Sequence, residues 1–203
     1  WTDTSKSTPT SAVFNTITKL TLVFSSSSSP FTVTLPLTGT FNVYVDWNNN
    51  GTYTNYTSGS VSNTYNATSA TLNIYGSITG FGNGSGTTWS GVESLTQVIT
   101  NRVDDWGLGS SFVSLSGAFN GATKLFKVPT DIPSTITNLS YTFKGCTTYN
   151  NTLITYWNVY QVTDMTSMFE NATAFNRDIR YWAVNTPTLT NMFLGATSMI
   201  SAF

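Results

Sequence analysis

The chain has 203 residues, of which 39% are hydrophobic, 14% aromatic and only 8% charged, for a formal net charge of −1. Phosphate recognition needs clustered Lys and Arg and anionic bilayers attract basic patches, so this balance argues against nucleic acid and against electrostatic attachment to membranes. There is no histidine and a single cysteine, Cys146, which removes the commonest general base and metal ligand, every Ser-His or Cys-His nucleophile pair, an internal disulfide and a thiolate metal site.

A surface solvated by Thr, Ser and Asn, and nearly without net charge, lacks the repulsion that keeps soluble proteins apart; self-association is the natural expectation. No run of about 18 apolar residues is present, so no membrane insertion is expected. A chain that opens on Trp1 and carries no signal peptide reads as a processed fragment or the ordered part of a longer protein.

Residues 1–12 are polar and aperiodic and read as an extended arm. From Val13 to Phe24 the pattern becomes β-rich, until the Ser25–Ser29 tract and Pro30 interrupt it. That tract reads equally as a flexible linker and as a site of O-linked sugar. Phe31–Leu35 and Phe41–Trp47 alternate strictly, and Ala70–Tyr75 is a further strand candidate. Short β-branched and aromatic strands between Gly, Pro, Ser and Asn clusters predict a small antiparallel β-sandwich over residues 13–79. Residues 80–88, Gly-rich, read as a hinge rather than a dinucleotide fingerprint, because no helical pattern follows.

Residues 89–203 are repetitive. Leu115–Thr123, Leu139–Thr147, Met165–Thr173 and Leu189–Thr197 are variants of one phrase, with Phe119, Phe143, Phe169 and Phe193 spaced 24, 26 and 24 residues apart. That period indicates a leucine-rich-repeat solenoid of about four to five units, Val92–Val98 being a degenerate first one. The predicted core anchors are Leu115, Phe119, Leu139, Phe143, Cys146, Met165, Phe169, Leu189 and Phe193. Leu or Met four residues before Phe suggests one face of a short helical turn. The residue three after Phe is always small (Ala122, Cys146, Ala172, Ala196), as close stacking demands, so Cys146 reads as a buried hydrophobe. Trp157 and Trp182 recur as well. The overall fold class is therefore mainly β, a sandwich followed by a short solenoid with helical turns.

Ala118–Pro129 resembles the BspA-like leucine-rich repeat, in which a small-Phe pair is followed by Cys or Ala, Leu and a Val-Pro ending. Residues 157–182 resemble the related mycoplasma-type surface repeat of unknown function. Val45–Thr52 is similar to the Val-Asp-Trp turn of polycystic-kidney-disease-type (PKD-like) β-sandwiches, although Asn49 stands where an Asp is usual. These resemblances imply a secreted or cell-surface protein used in adhesion or as a structural module, and they imply no reaction.

Candidate sites are correspondingly few. Asp104 and Asp105 with Glu93 form the best carboxylate cluster, but neighbours on an extended segment point opposite ways, and no catalytic residue is assigned. Asp46 with Asn48, Asn49 and Asn50 carries oxygen ligands suited to Ca²⁺, although an Asx-rich turn before Gly51 fits better; no metal or cofactor is expected. Trp47, Tyr53, Tyr56, Trp89 and Trp106 could offer platforms to sugar rings, with core or subunit interface as the commoner fate of such residues. Acceptor patterns for N-linked sugar occur at Asn50, Asn55, Asn66, Asn83, Asn138, Asn150 and Asn171.

The sequence thus predicts a non-enzymatic extracellular or cell- or virion-surface subunit that polymerises with copies of itself, head to tail, into a filament, pilus-like appendage or fibre. The N-terminal arm is the candidate connector. The alternative is an adhesin or glycan-binding module of a larger surface protein.

Overall fold

A computed structural model describes residues 18–84, 87–102 and 105–200; the predicted arm and Val13–Ile17 lie outside the described residues. The protein is mainly β. The strands, in chain order, are β1 (Leu20–Ser25), β2 (Phe31–Thr34), β3 (Leu37–Asp46), β4 (Thr54–Tyr56), β5 (Ser62–Tyr65), β6 (Ser69–Phe81) and β7 (Leu95–Thr100).

Five of them form one sheet in the order β4-β3-β6-β1-β7, and β2 pairs with β5 in a smaller one. Period-two alternation explains the register. Leu20, Leu22 and Phe24 all point inward from β1, and Leu22 sits opposite Leu72 on one side and Val98 on the other. Phe24 bridges to the smaller sheet through Phe31, whose ring stacks on Tyr65 at 5.2 Å, and Trp89 packs edge-on against both Phe24 and Phe81. The two sheets therefore share one core.

Two boundaries differ from the sequence expectation. Gly80 and Phe81, assigned to the hinge, are the last residues of β6, and Phe81 is buried. Leu95–Thr100, assigned to the repeats, pairs antiparallel with β1. The physical reason is burial: Leu95 and Val98 are apolar partners for β1, and the degenerate phrase lacks the Phe that would hold it in a coil.

Beyond residue 113 the chain winds into stacked coils. Coil 1 begins at Ser114, coil 2 at Asn138, coil 3 at Asp164 and coil 4 at Thr188, and successive starts form parallel bridges. The phrase is not a helical turn. Its third residue (Gly117, Tyr141, Ser167, Asn191) and its seventh (Gly121, Gly145, Asn171, Gly195) all have left-handed backbones, with φ between 54° and 80°. Carbonyl-to-N–H closures Leu115–Ala118 and Phe119–Ala122, both 2.9 Å, make each phrase two successive turns of type II character. A right-handed helix cannot contain such residues, so the Leu and Phe are brought together by turn geometry instead.

Candidate functional site

The turns leave alternate N–H groups pointing along the stack. In coil 1, Leu115, Gly117, Phe119 and Gly121 donate to the carbonyls of Asn138, Ser140, Thr142 and Lys144 at 2.8–3.0 Å. Coil 2 repeats the pattern from Leu139, Tyr141, Phe143 and Gly145 to Asp164, Thr166, Met168 and Glu170, and coil 3 from Met165, Ser167, Phe169 and Asn171 to Thr188, Thr190, Met192 and Leu194. Every one of these bonds runs in the same direction. The turn phrases are therefore polar, with a carbonyl side and an N–H side, whereas just before each coil start the bonds run the other way, Thr137 N–H donating to Val113, Thr163 to Thr137 and Thr188 to Thr163.

The carbonyl end is closed by the sheet region. Phe81 N–H donates to Ser114, Gly84 N–H to Ser116, and the Trp89 indole to Ala118, at 2.9 Å each. Gly82 makes this approach possible: with φ of 134°, a Cβ there would collide with the Ser116 carbonyl and the Ala118 nitrogen. On the other side of the coil, Val98 N–H donates to Lys127 and Phe126 N–H to Thr96.

At the opposite end, the N–H groups of Leu189, Asn191, Phe193 and Gly195 have no partner among the described residues. Leu189 is 50% exposed and Leu194 56%. Of the predicted anchors, Leu115, Phe119, Leu139, Phe143, Cys146, Met165 and Phe169 are buried, whereas Leu189 is not and Phe193 is only partly covered. The physical reason is that no described coil lies on their outer side.

The small column behaves as expected. Ala122, Cys146, Ala172 and Ala196 are fully buried, and the Cys146 thiol donates to the Phe119 carbonyl at 3.0 Å. Burial pushes that thiol far above its usual range, so it is not a nucleophile. The recurring tryptophans clamp coils together, Trp157 donating to the Pro129 carbonyl at 3.0 Å and Trp182 to Ile154 at 3.1 Å.

The carboxylates serve local structure. Asp46, buried, accepts N–H bonds from Asn48, Asn50 and Gly51, an Asx-type turn with its oxygens directed at the backbone. Asp164 caps Thr166, Asp131 caps Ile132, and Asp105 accepts from Gly107. Glu93 is exposed, and Asp104 lies outside the described residues. Among the described residues no group of acidic or thiol side chains converges in a way that could hold a metal.

The aromatic platform proposed from sequence differs. Trp47, Trp89 and Trp106 are buried, the last donating to the Asp131 carbonyl, while Tyr53 and Tyr56 are half-buried. Among the described residues the exposed aromatics are Phe126, Tyr156, Tyr160 and Tyr181, with Tyr156 and Tyr181 each just before a clamping tryptophan. That pairing of a buried Trp with an exposed Tyr is visible in the sequence but carries no sign of which ring faces out.

The acceptor asparagines separate by what their amides already do. Asn55 donates to Asn42 and Val43, Asn138 accepts from Ser140, Asn150 accepts from Asn176 and Arg177, and Asn50 caps Thr52. Asn171 is exposed but held in a left-handed backbone, its side-chain oxygen against Gly195. Asn66 and Asn83 are exposed, with no such role among the described residues.

These features define a repeat protein in which a two-sheet β-region leads into a polar stack of turn-built coils. The chain belongs to the family described as Mycoplasma protein of unknown function, DUF285, whose pattern matches residues 94–202, more than half its length. No curated protein and no solved structure matches it. No helix among the described residues is long and apolar enough to cross a membrane.

Proposed function

We propose that this protein is a non-enzymatic, extracellular or surface-exposed structural subunit that associates head to tail with copies of itself. In this reading the coil stack is a short leucine-rich-repeat solenoid of the BspA-like kind, and the β-region is a PKD-like sandwich that starts it. The observation that carries the reading is the N–H row of coil 4, without a partner among the described residues, beside the exposed Leu189 and Leu194. An open row of backbone donors flanked by apolar side chains is a template for adding another chain. A surface with 8% charged residues offers little repulsion against that addition.

Sedimentation velocity across a concentration series, with electron microscopy of the concentrated sample, tests it. Growth into linear polymers is expected; a single chain at every concentration would contradict it. The alternative, an adhesin module for glycans, is favoured by one observation, the exposed Tyr156, Tyr160 and Tyr181, since aromatic faces pair with sugar rings. Glycan-array binding lost on Tyr181→Ala would support it.

A further inference from the structure

Among the described residues, the N–H row of coil 4 is one end of a ladder that runs from the sheet through the coils. Thr38 of β3 pairs with Gly80 of β6, Gly80 bridges to Ser114, Ser114 to Asn138, Asn138 to Asp164, and Asp164 to Thr188. At about 4.8 Å per step, these five steps separate the two ends by roughly 24 Å.

The far end is the outer edge of β3. Strand β4 covers β3 only at Val43–Val45, so the stretch from Leu37 to Asn42 pairs with β6 on one side and has no strand on its outer side among the described residues; Thr38, Gly39 and Thr40 are exposed, with the Thr40 N–H and carbonyl held by the Thr79 hydroxyl. A free antiparallel edge presents carbonyls as well as N–H groups at alternate residues. The bulge between Thr38 and Phe41 bends this edge, and the coil 4 row, built of two turns, is bent too.

We infer that the N–H row of coil 4 in one copy docks on the β3 edge, Leu37–Asn42, of a second copy, continuing the ladder from molecule to molecule. The inference rests on the assembly reading above and names its two faces. Three observations lead to this partner. The contact continues an interface that the chain already builds between its own coils, with the same donors in the same order. A twofold tail-to-tail dimer would set donors against donors. The first coil of a second copy is no alternative, because its carbonyls at Ser114, Ser116 and Ala118 are already bonded to Phe81, Gly84 and Trp89. A contact between two different faces is heterologous, and where its rotation does not close into a ring it gives an open polymer. The N-terminal arm is then not the connector.

Two charged variants on exposed residues test this. Leu194→Glu blocks the coil end and leaves β3 intact; Thr38→Lys blocks β3 and leaves the coil end intact. Each alone should sediment as a single chain, with the circular dichroism and thermal midpoint of the parent. Mixed one to one they should form a dimer, twice the mass of one chain, and grow no further. Deletion of residues 1–12 should leave the polymer unchanged.

A parent chain that never assembles would overturn the assembly reading itself. A parent that polymerises while Leu194→Glu also polymerises, or a mixture that stays at the mass of one chain, would leave assembly standing and overturn the two faces named here. Loss of the polymer on deletion of residues 1–12 alone would move the connector to the arm.

Discussion

The ring of Phe169 lies parallel to that of Phe143, 5.4 Å away and within 4°. Phe193 stacks on its other side at 5.7 Å and 3°. Backbone turns and side-chain column are thus the same repeat seen twice: the N–H row sets the spacing, and the rings fill what lies between coils.

Phe169 also meets Phe175 and Trp182, whereas Phe193, which touches Phe169 and Phe175, has a coil on one side only among the described residues. Phe169→Ala should therefore cost about 3–5 kcal/mol, within the range for buried Phe, and Phe193→Ala clearly less. Urea unfolding of both variants checks this; equal losses would show that coil 4 is covered as fully as coil 3.

Tyr149 stacks on Phe143 at 4.4 Å, and its hydroxyl is the one buried side-chain oxygen without a hydrogen-bond partner among the described residues. The same place in coil 3 is Phe175. Tyr149→Phe removes an orphaned polar atom and should stabilise by about 1 kcal/mol. A loss of similar size in denaturant titration would show that the hydroxyl is bonded.

Asn171 occupies the left-handed seventh place that Gly holds in the other coils, with φ of 59°. Asn171→Ala should destabilise by about 1 kcal/mol, and Asn171→Gly should restore most of it, since only the backbone preference separates them. Equal stability of the Ala and Gly variants would refute the backbone explanation.

Gly82→Ala forces a methyl against the Ser116 carbonyl at the junction of sheet and first coil. Overpacking of this kind costs about 1–3 kcal/mol. Because it strikes the contact that closes the carbonyl end, the calorimetric transition should be broader than that of the parent, or split. A sharp, unshifted transition would show that the two regions are not coupled there.

Alkaline pH gives a further test. Tyr65 donates to the Trp47 carbonyl at 2.7 Å; burial foremost, with the Asp46 charge adding to it against an opposing hydrogen bond from Asn63, pushes its hydroxyl up to about 12. Unfolded tyrosine ionises near pH 10, so between about 10 and 12 the unfolded state releases a proton that the folded state keeps. The contribution of Tyr65 to stability is constant below that window and falls with rising pH through it. Tyr65→Phe should lose the Trp47 bond yet flatten part of the alkaline decline; a parallel decline in both proteins would exclude Tyr65 as its source.

Much of the core was legible in the sequence because side-chain chemistry repeats there. The Phe column, the small column that absorbs Cys146, and the alternation of Leu20, Leu22 and Phe24 all follow from what must be buried. The turn geometry was half legible. Gly121, Gly145, Asn171 and Gly195 form a column that only left-handed backbone explains, but Gly117, Tyr141, Ser167 and Asn191 share no chemistry, and the Leu-to-Phe spacing of four imitates a helix. The pairing of β7 with β1 was hidden because Leu95–Val98 fits a repeat as well as a strand. The open donor row could not be read from residue types at all, since it is made of backbone N–H groups whose direction depends on those turns.

Amide hydrogen exchange over residues 188–196, at dilute and concentrated protein, probes the polar coil end most directly. The amides of Leu189, Asn191, Phe193 and Gly195 should exchange freely in dilute protein and become protected as polymers form, while the corresponding amides of coils 1 to 3 stay protected throughout. Free exchange of the coil 4 amides in fully assembled material would contradict assembly through that end.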